Sequence, residues 1–298
     1  MLATLTNVGS DATTYTKVGD ALAAHGLDWD VETRPTSYQL DNGDFASTGS
    51  FVTVRKDTEA VLGRVGGDYK PMNNVEALKH VDYLLDSGFA TLDSVFALKG
   101  GRRVGASLRL NEQITVGDED LIDMYIVVST SHDGLRSDRT LITPIRMFCL
   151  NQLALVSSTA RQSWAVRHLS TMEENLKVVG EELQIVTDYA AWLKRTGEKM
   201  ISKTLSEIEM KNAIEQCLAF VLEESRKEKM TGEIFDVYKT SDLIGDQYRG
   251  TAWGTFNAVT EYFDHHRKYR TAEARYQSIT DGVGARARNQ MAQILLAA

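Results

Sequence analysis

Proline is scarce in this chain: there are three among 298 residues, and Pro35, Pro71 and Pro144 all lie in the first half. Proline is tolerated in turns and edge strands but breaks a helix interior. Its absence after Pro144 leaves the second half open to long helices. Composition agrees, with Glu, Lys, Leu and Ala prominent there and Gly, Thr and Val prominent earlier. Cysteine is scarcer still. Cys149 and Cys217 alone cannot build a disulfide framework or a zinc site. Both sit in apolar helical surroundings, as expected of buried thiols in a reducing compartment. No stretch approaches the roughly 18 uninterrupted apolar residues of a membrane-spanning helix. The first ten residues lack the basic flank and apolar stretch of a secretory signal. Positive charge is also short. The net charge of −8 argues against a surface coated in positive potential. Nucleic-acid binding would have to come from a local basic patch, because only nearby cations displace counterions from phosphates.

What is present divides the chain. Residues 1–156 carry 14 Lys+Arg against 21 Asp+Glu, a net of −7, and residues 157–298 carry 19 against 20, a net of −1. The expected class is α+β. A mixed α/β domain over 1–156, with a largely antiparallel sheet and a covering helix, precedes a helical region over 157–298.

Local signals give the elements. A short helix is expected over 17–25, stopped by Gly26. Residues 51–55 and 60–65 read as a hairpin. Residues 75–87 read as one helix, with Asn74 as N-cap and Gly88 as stop. Strands over 91–98 and 102–110 are joined through Lys99-Gly100-Gly101, whose glycines supply the positive φ of a tight turn. Two more strands, 121–130 and 139–148, flank an SHDGLRSD loop. These add up to an antiparallel sheet of about six strands. Met172, Leu176, Val179, Leu183, Val186, Ala190 and Leu193 form a heptad seam. It is expected to pack on the next helix within the chain, or else to join subunits into a homo-oligomer. Ser206 and Glu209 make a capping box opening a helix to about residue 229. Residues 232–250 read as a connection, and Thr251 as the cap of a last long helix.

Several residues invite chemistry. Along the 102–110 strand, Val104, Ala106, Leu108 and Leu110 alternate with Arg103, Gly105, Ser107 and Arg109. With Lys99 and Arg102 in the turn, Lys99, Arg102, Arg103 and Arg109 form a basic strip that either is a solvated sheet face or tracks a phosphate backbone. Arg146, amid apolar neighbours, is either the bidentate holder of an anion or half of a structural ion pair. His132 and Asp133 end a strand beside Ser131. Adjacent residues cannot stack as nucleophile, base and orienter, so a turn with a hydrogen-bonded His is favoured over catalysis. Asn151 suits a cap or a cross-sheet hydrogen bond. The glycines of 62–71 lack phosphate-loop spacing. Gly282-Val283-Gly284-Ala285-Arg286-Ala287 follows no clear strand and is no dinucleotide fingerprint, although Arg286 and Arg288 add local positive charge. Adjacent His265 and His266 diverge on a helix and cannot easily share a metal. No catalytic residue, cofactor or metal is assigned.

Three islands carry the strongest identity signal: LGRVGGDYKPMNN at 62–74, STSHDGLRSDRTLITPIRMFCLNQL at 129–153 and GTAWGTFNAVTEYFD at 250–264. Together with HGLDWDVETRP at 25–35 and Arg167-His168, they resemble in order and character a phage/plasmid-like protein family of unknown function. The SHDG loop departs from that pattern in its following Leu-Arg-Ser-Asp. The resemblance implies a protein carried by mobile DNA and working in the bacterial cytoplasm, with no catalytic residues to transfer. The leading expectation is a non-enzymatic nucleic-acid-handling protein that binds or anneals single-stranded DNA in recombination or replication. Two readings stand beside it. One is an interaction protein whose acidic N-terminal half blocks a host defence or replication factor. The other is a hydrolase or nucleotide-binding enzyme, which requires His132, Asp133, Arg146 and Asn151 to share one pocket.

Overall fold

A computed structural model describes residues 9–118, 120–134, 139–146, 163–164, 172–271, 274–275, 278 and 282–297; for 139–146, 163–164, 172–183, 185 and 186 it describes the backbone. The chain is α+β. Strands β1 (Ser10–Asp11), β5 (Ala90–Leu98), β6 (Arg103–Val116), β7 (Asp120–Ser131), β8 (Arg139–Arg146) and β9 (Ser163–Trp164) form a six-stranded sheet in that spatial order. Every pairing in it is antiparallel. A second sheet holds β2 (Val31–Gln39), β3 (Phe45–Arg55) and β4 (Val61–Val65).

The expected hairpin at 51–65 therefore exists, but outside the main sheet. β2 was not read from the sequence, because Pro35 and a run of Thr and Ser mask it. It is a sheet edge, where proline is tolerated, and a bulge falls between Pro35 and Ser37. The helix expected over 75–87 is two, α2 (Asn74–Leu78) and α3 (Val81–Asp86). Asn73, not Asn74, holds the N-cap position, and Asn74 is buried with its amide donating to the carbonyl of Leu27 at 2.7 Å. Asp82 accepts the Val18 N–H at 2.9 Å, so α3 caps the start of α1 (Val18–Ala24) from a neighbouring element. Gly26 and Gly88 end their helices in the left-handed region, with φ of 65 and 70°.

The alternation along β6 sorts the main sheet into two faces. Val104, Ala106, Leu108 and Leu110 lie buried with Leu92, Val95, Ile122, Met124, Ile126 and Val128. Helices α1, α2, α3 and α4 (Met172–Ile201) pack along this layer. Within α4, Tyr189, Leu193 and Met200 are buried. Its partners are β6, α3 and α7 (Ala252–Glu261) rather than the next helix, α5 (Glu207–Cys217). Gly197 permits this approach, since a Cβ there would meet Val116 Cγ1 at 2.3 Å.

The Ser206–Glu209 capping box forms as expected. The helix it opens stops at Cys217, however, and α6 (Glu224–Thr240) runs straight through Gly232. The connection expected at 232–250 is thus half helix. Burial pushes the Cys217 thiol up to about 12, as expected of an inert core cysteine; Cys149 lies outside the described residues. Thr251 caps α7 through Gly254 N–H at 3.1 Å. All ten residues of α7 are buried, and a π-helical turn (Tyr262–His266) follows it. The last helix is α8 (Val283–Ala297). Buried apolar residues from both halves form one continuous cluster.

Candidate nucleic-acid interface

The β5–β6 turn is built on glycine. Gly100 and Gly101 take φ of 66 and 92°, and Lys99 itself sits at 54°, in a region an L side chain rarely adopts. The turn is anchored from below. A Cβ at Gly101 would meet the Trp29 ring at 3.1 Å, and the Arg55 guanidinium lies 4.2 Å over that ring. The Arg102 carbonyl accepts the His132 N–H at 2.9 Å. His132 in turn donates from Nε2 to Asn74 Oδ1 at 2.6 Å, and its ring stands 5.3 Å from Trp29.

The first two islands meet here. A Cβ at Gly63 would come within 2.4 Å of Asp133 Cα, Tyr69 donates to the Ser131 carbonyl at 3.3 Å, and Thr53 donates to the His132 carbonyl at 2.5 Å. Asp133 accepts the Ser131 hydroxyl at 2.7 Å, and Gly134 turns the chain with φ of 71°. His132 and Asp133 therefore weld the small sheet and α2 to the end of β7. This is the structural arrangement the sequence favours for them.

The basic strip divides in two. Lys99 and Arg102 are exposed at the turn and Arg103 is half-buried beside them. Arg102 and Arg103 have no ion pair among the described residues, and the Arg103 Nε is buried without an acceptor. Arg109 stands six residues away, about 20 Å along an extended strand. It is 46% exposed and bound to Asp123 at 2.9 Å. Gly105 and Ser107 between them are buried, so the strip is not one solvated face. Gly105 is pinned by the Phe96 ring and the Val128 carbonyl, each 2.5 Å from a Cβ placed there.

Arg109 belongs instead to a buried polar cluster that the sequence did not reveal. A bulge between Leu92 and Ser94 turns Asp93 onto the Ser107 side of the sheet. Among the described residues Asp93 Oδ2 and Ser107 Oγ have no hydrogen-bond partner. Burial raises the Asp93 carboxyl to about 6, against the pull of the Ser94 hydroxyl and of Arg109. Asp123 also accepts Gln113 at 2.8 Å, and burial lifts the Tyr125 phenol well above its ordinary value. Alternation counted back from Val95 and Ala97 assigns Asp93 to the apolar face, so an aspartate inside TLDSVFAL was the available signal.

Arg146 lies at the other end of the sheet. Its Cα partner is Ile122, ten residues from His132 along β7, or roughly 30 Å. His132 and Arg146 cannot share a pocket, so the four-residue enzyme site is not formed. Asn151 lies outside the described residues. Among the described residues no group of His, Cys, Asp or Glu is arranged to hold a metal, and no helix is long and apolar enough to cross a membrane.

These features define an α+β protein whose main sheet carries helices on its apolar layer and ends in a cationic turn. Residues 61–281 match the family described as a domain of unknown function, DUF932, and the chain belongs to that family. The matched span begins at β4 and contains all three islands. No curated protein and no solved structure matches the chain.

Proposed function

We propose that this protein handles nucleic acid, holding the phosphate backbone of a single strand at the Lys99–Arg103 turn. One observation carries the reading. Arg34, Arg55 and Arg109 are each tied to a carboxylate, as an acidic chain leads one to expect. Arg102 and Arg103 have no such partner among the described residues and stand side by side on a braced turn. Unneutralised cations held in place are what backbone binding uses, and the attraction is sequence-independent. The resemblance to phage- and plasmid-borne proteins supports a role in strand annealing during recombination or replication in a bacterial cytoplasm.

A fluorescence-anisotropy titration with a labelled single-stranded oligonucleotide at low salt tests this. Binding by the native chain, weakened at least about tenfold in an Arg102→Glu, Arg103→Glu double variant, is the expected result. No binding, or equal binding by the variant, contradicts it.

One feature favours the second reading, a protein partner. The β2–β3 hairpin exposes Tyr38, Leu40 and Phe45 around an acidic tip of Asp41 and Asp44. A stoichiometric protein captured from host lysate without nucleic acid, and lost in a Tyr38→Ser, Phe45→Ser variant, would establish that reading instead.

A further inference from the structure

The small sheet is unlike at its two ends. β4 pairs with β3 from Phe51 to Val54, so residues 36–49 run past it as a two-stranded ribbon in which no residue is buried. The ribbon is held in shape by its own bonds. Thr36 Oγ1 donates to the Ser50 carbonyl at 2.9 Å, Thr48 Oγ1 donates to the Thr36 carbonyl at 3.1 Å, and the Leu40 N–H closes the tip on the Asp44 carbonyl at 2.7 Å. Gln39 pairs with Phe45 and Tyr38 with Ala46, so Phe45 and Tyr38 stand on opposite faces. Phe45 is 71% and Tyr38 55% exposed, and Leu40 lies open beside the tip carboxylates of Asp41 and Asp44. A two-stranded ribbon alone is marginal in water, and clustered exposed apolar side chains mark a contact surface.

The other end is cationic. Val31 pairs with Arg55, and the Arg55 guanidinium lies over Trp29 beneath the β5–β6 turn. The carboxylates there are engaged locally: Asp57 with Arg55 at 2.6 Å, Glu59 with Arg34 at 3.4 Å and Asp30 with Lys56 at 3.6 Å. Lys99, Arg102 and Arg103 of the turn stand beside them, and Val61 is 56% exposed at the same end. The nine residues of β2 separate the two ends, roughly 30 Å of extended chain, so the ribbon cannot reach the turn of its own chain. Two ribbons laid tip to tip would bring Asp41 and Asp44 against their own copies, which like charge opposes. The unlike ends of two separate chains attract, even though each chain carries a net charge of −8.

We propose that the β2–β3 ribbon docks on the β5–β6 turn of a second copy of this chain, with Asp41 and Asp44 facing its Lys99 and Arg102 and the apolar side chains covering its Val61. The contact joins two different surfaces, so it repeats head to tail and builds rings or filaments rather than a two-fold dimer. The inference rests on the turn being an open cationic surface, as the nucleic-acid reading does, and it makes the ribbon and a single strand competitors for that surface.

Sedimentation equilibrium of the full chain between about 1 and 100 µM, at low salt and without DNA, tests it. A mass that rises with concentration past twice the 33.1 kDa of one chain is expected, and it should fall back toward one chain in about 0.5 M NaCl. An Asp41→Lys, Asp44→Lys variant and a Lys99→Glu, Arg102→Glu variant should each stay single, while an equal mixture of the two assembles because the reversed charges match again. Tyr38→Ser with Phe45→Ser should weaken assembly at least about tenfold. Every substituted side chain is exposed, so the fold does not depend on it. A native chain that stays single at the highest concentration, even one that captures a host protein, overturns the proposal. So does a Lys99→Glu, Arg102→Glu variant that assembles as the native chain does, or a mixture that stays single. Native chains that assemble yet bind no single-stranded DNA refute the nucleic-acid reading alone and support this contact.

Discussion

The two ends of the six-stranded sheet are finished in opposite ways. At the β6–β7 end, polar groups are consumed by structure. Trp253 donates to Asp120 at 2.8 Å, Gly197 admits Val116, and Arg109 is neutralised by Asp123. At the β5–β6 end the turn is braced just as firmly, by Trp29, His132 and Asn74, yet Arg102 and Arg103 have no carboxylate partner there among the described residues. Rigidity is common to both ends; neutralisation is not. A rigid cation without a counter-charge is poised for an anionic ligand, whereas a rigid paired cation is part of the scaffold.

The largest expected effect removes the brace at the cationic end. Gly63→Ala places a methyl against the backbone of Asp133, which has no flexible side chain to yield. A loss of about 3 kcal/mol in urea unfolding is expected, together with weaker DNA binding. A variant as stable as the native chain would mean the two sheets are not welded there.

The polar cluster sharpens the comparison through pH. Asp93 is raised in the folded state to about 6, above its unfolded value near 3.8. The folded chain therefore holds the extra proton, and stability falls as pH rises from about 4 to 6. Asp93→Asn removes this loss and should stabilise the chain at pH 7 by about 2 kcal/mol, with a flatter profile between pH 4 and 6. Denaturant midpoints measured at pH 4, 5 and 6 read this directly, and an unchanged slope would refute it.

At the scaffold end, Trp253→Phe deletes a buried hydrogen bond to a carboxylate. About 2 kcal/mol of stability should be lost, with little change in DNA affinity. Loss of binding at unchanged stability would reverse the roles assigned to the two ends.

Much of this scaffold is legible in the sequence. The β6 alternation names the apolar layer, Gly26 and Gly88 stop their helices, and Ser206, Glu209 and Thr251 open theirs. Each is a local signal whose cause lies within a few residues. What escapes is set by distant partners or broken parity. The Asp93 bulge inverts the side assignment of one residue. Arg109 finds its carboxylate 14 residues away, across a turn. Gly232 lies inside α6 because tertiary packing overrides a poor helix former. The split of the basic strip follows from the same cause: alternation shows which residues share a face, not whether that face is covered.

The smallest effect on stability belongs to the turn itself. Lys99→Gly relieves a strained φ of 54° but loosens the unfolded chain, so stability should stay within about 0.5 kcal/mol. Affinity for a single strand should nevertheless fall, because a cation is gone.

The slope of log affinity against log salt for single-stranded DNA is the most direct test. If Lys99, Arg102 and Arg103 all contact phosphates, their combined share of the slope is about −2, and replacing all three with glutamine should make the slope shallower by that amount. A slope identical in the native and triple-glutamine chains would contradict the account.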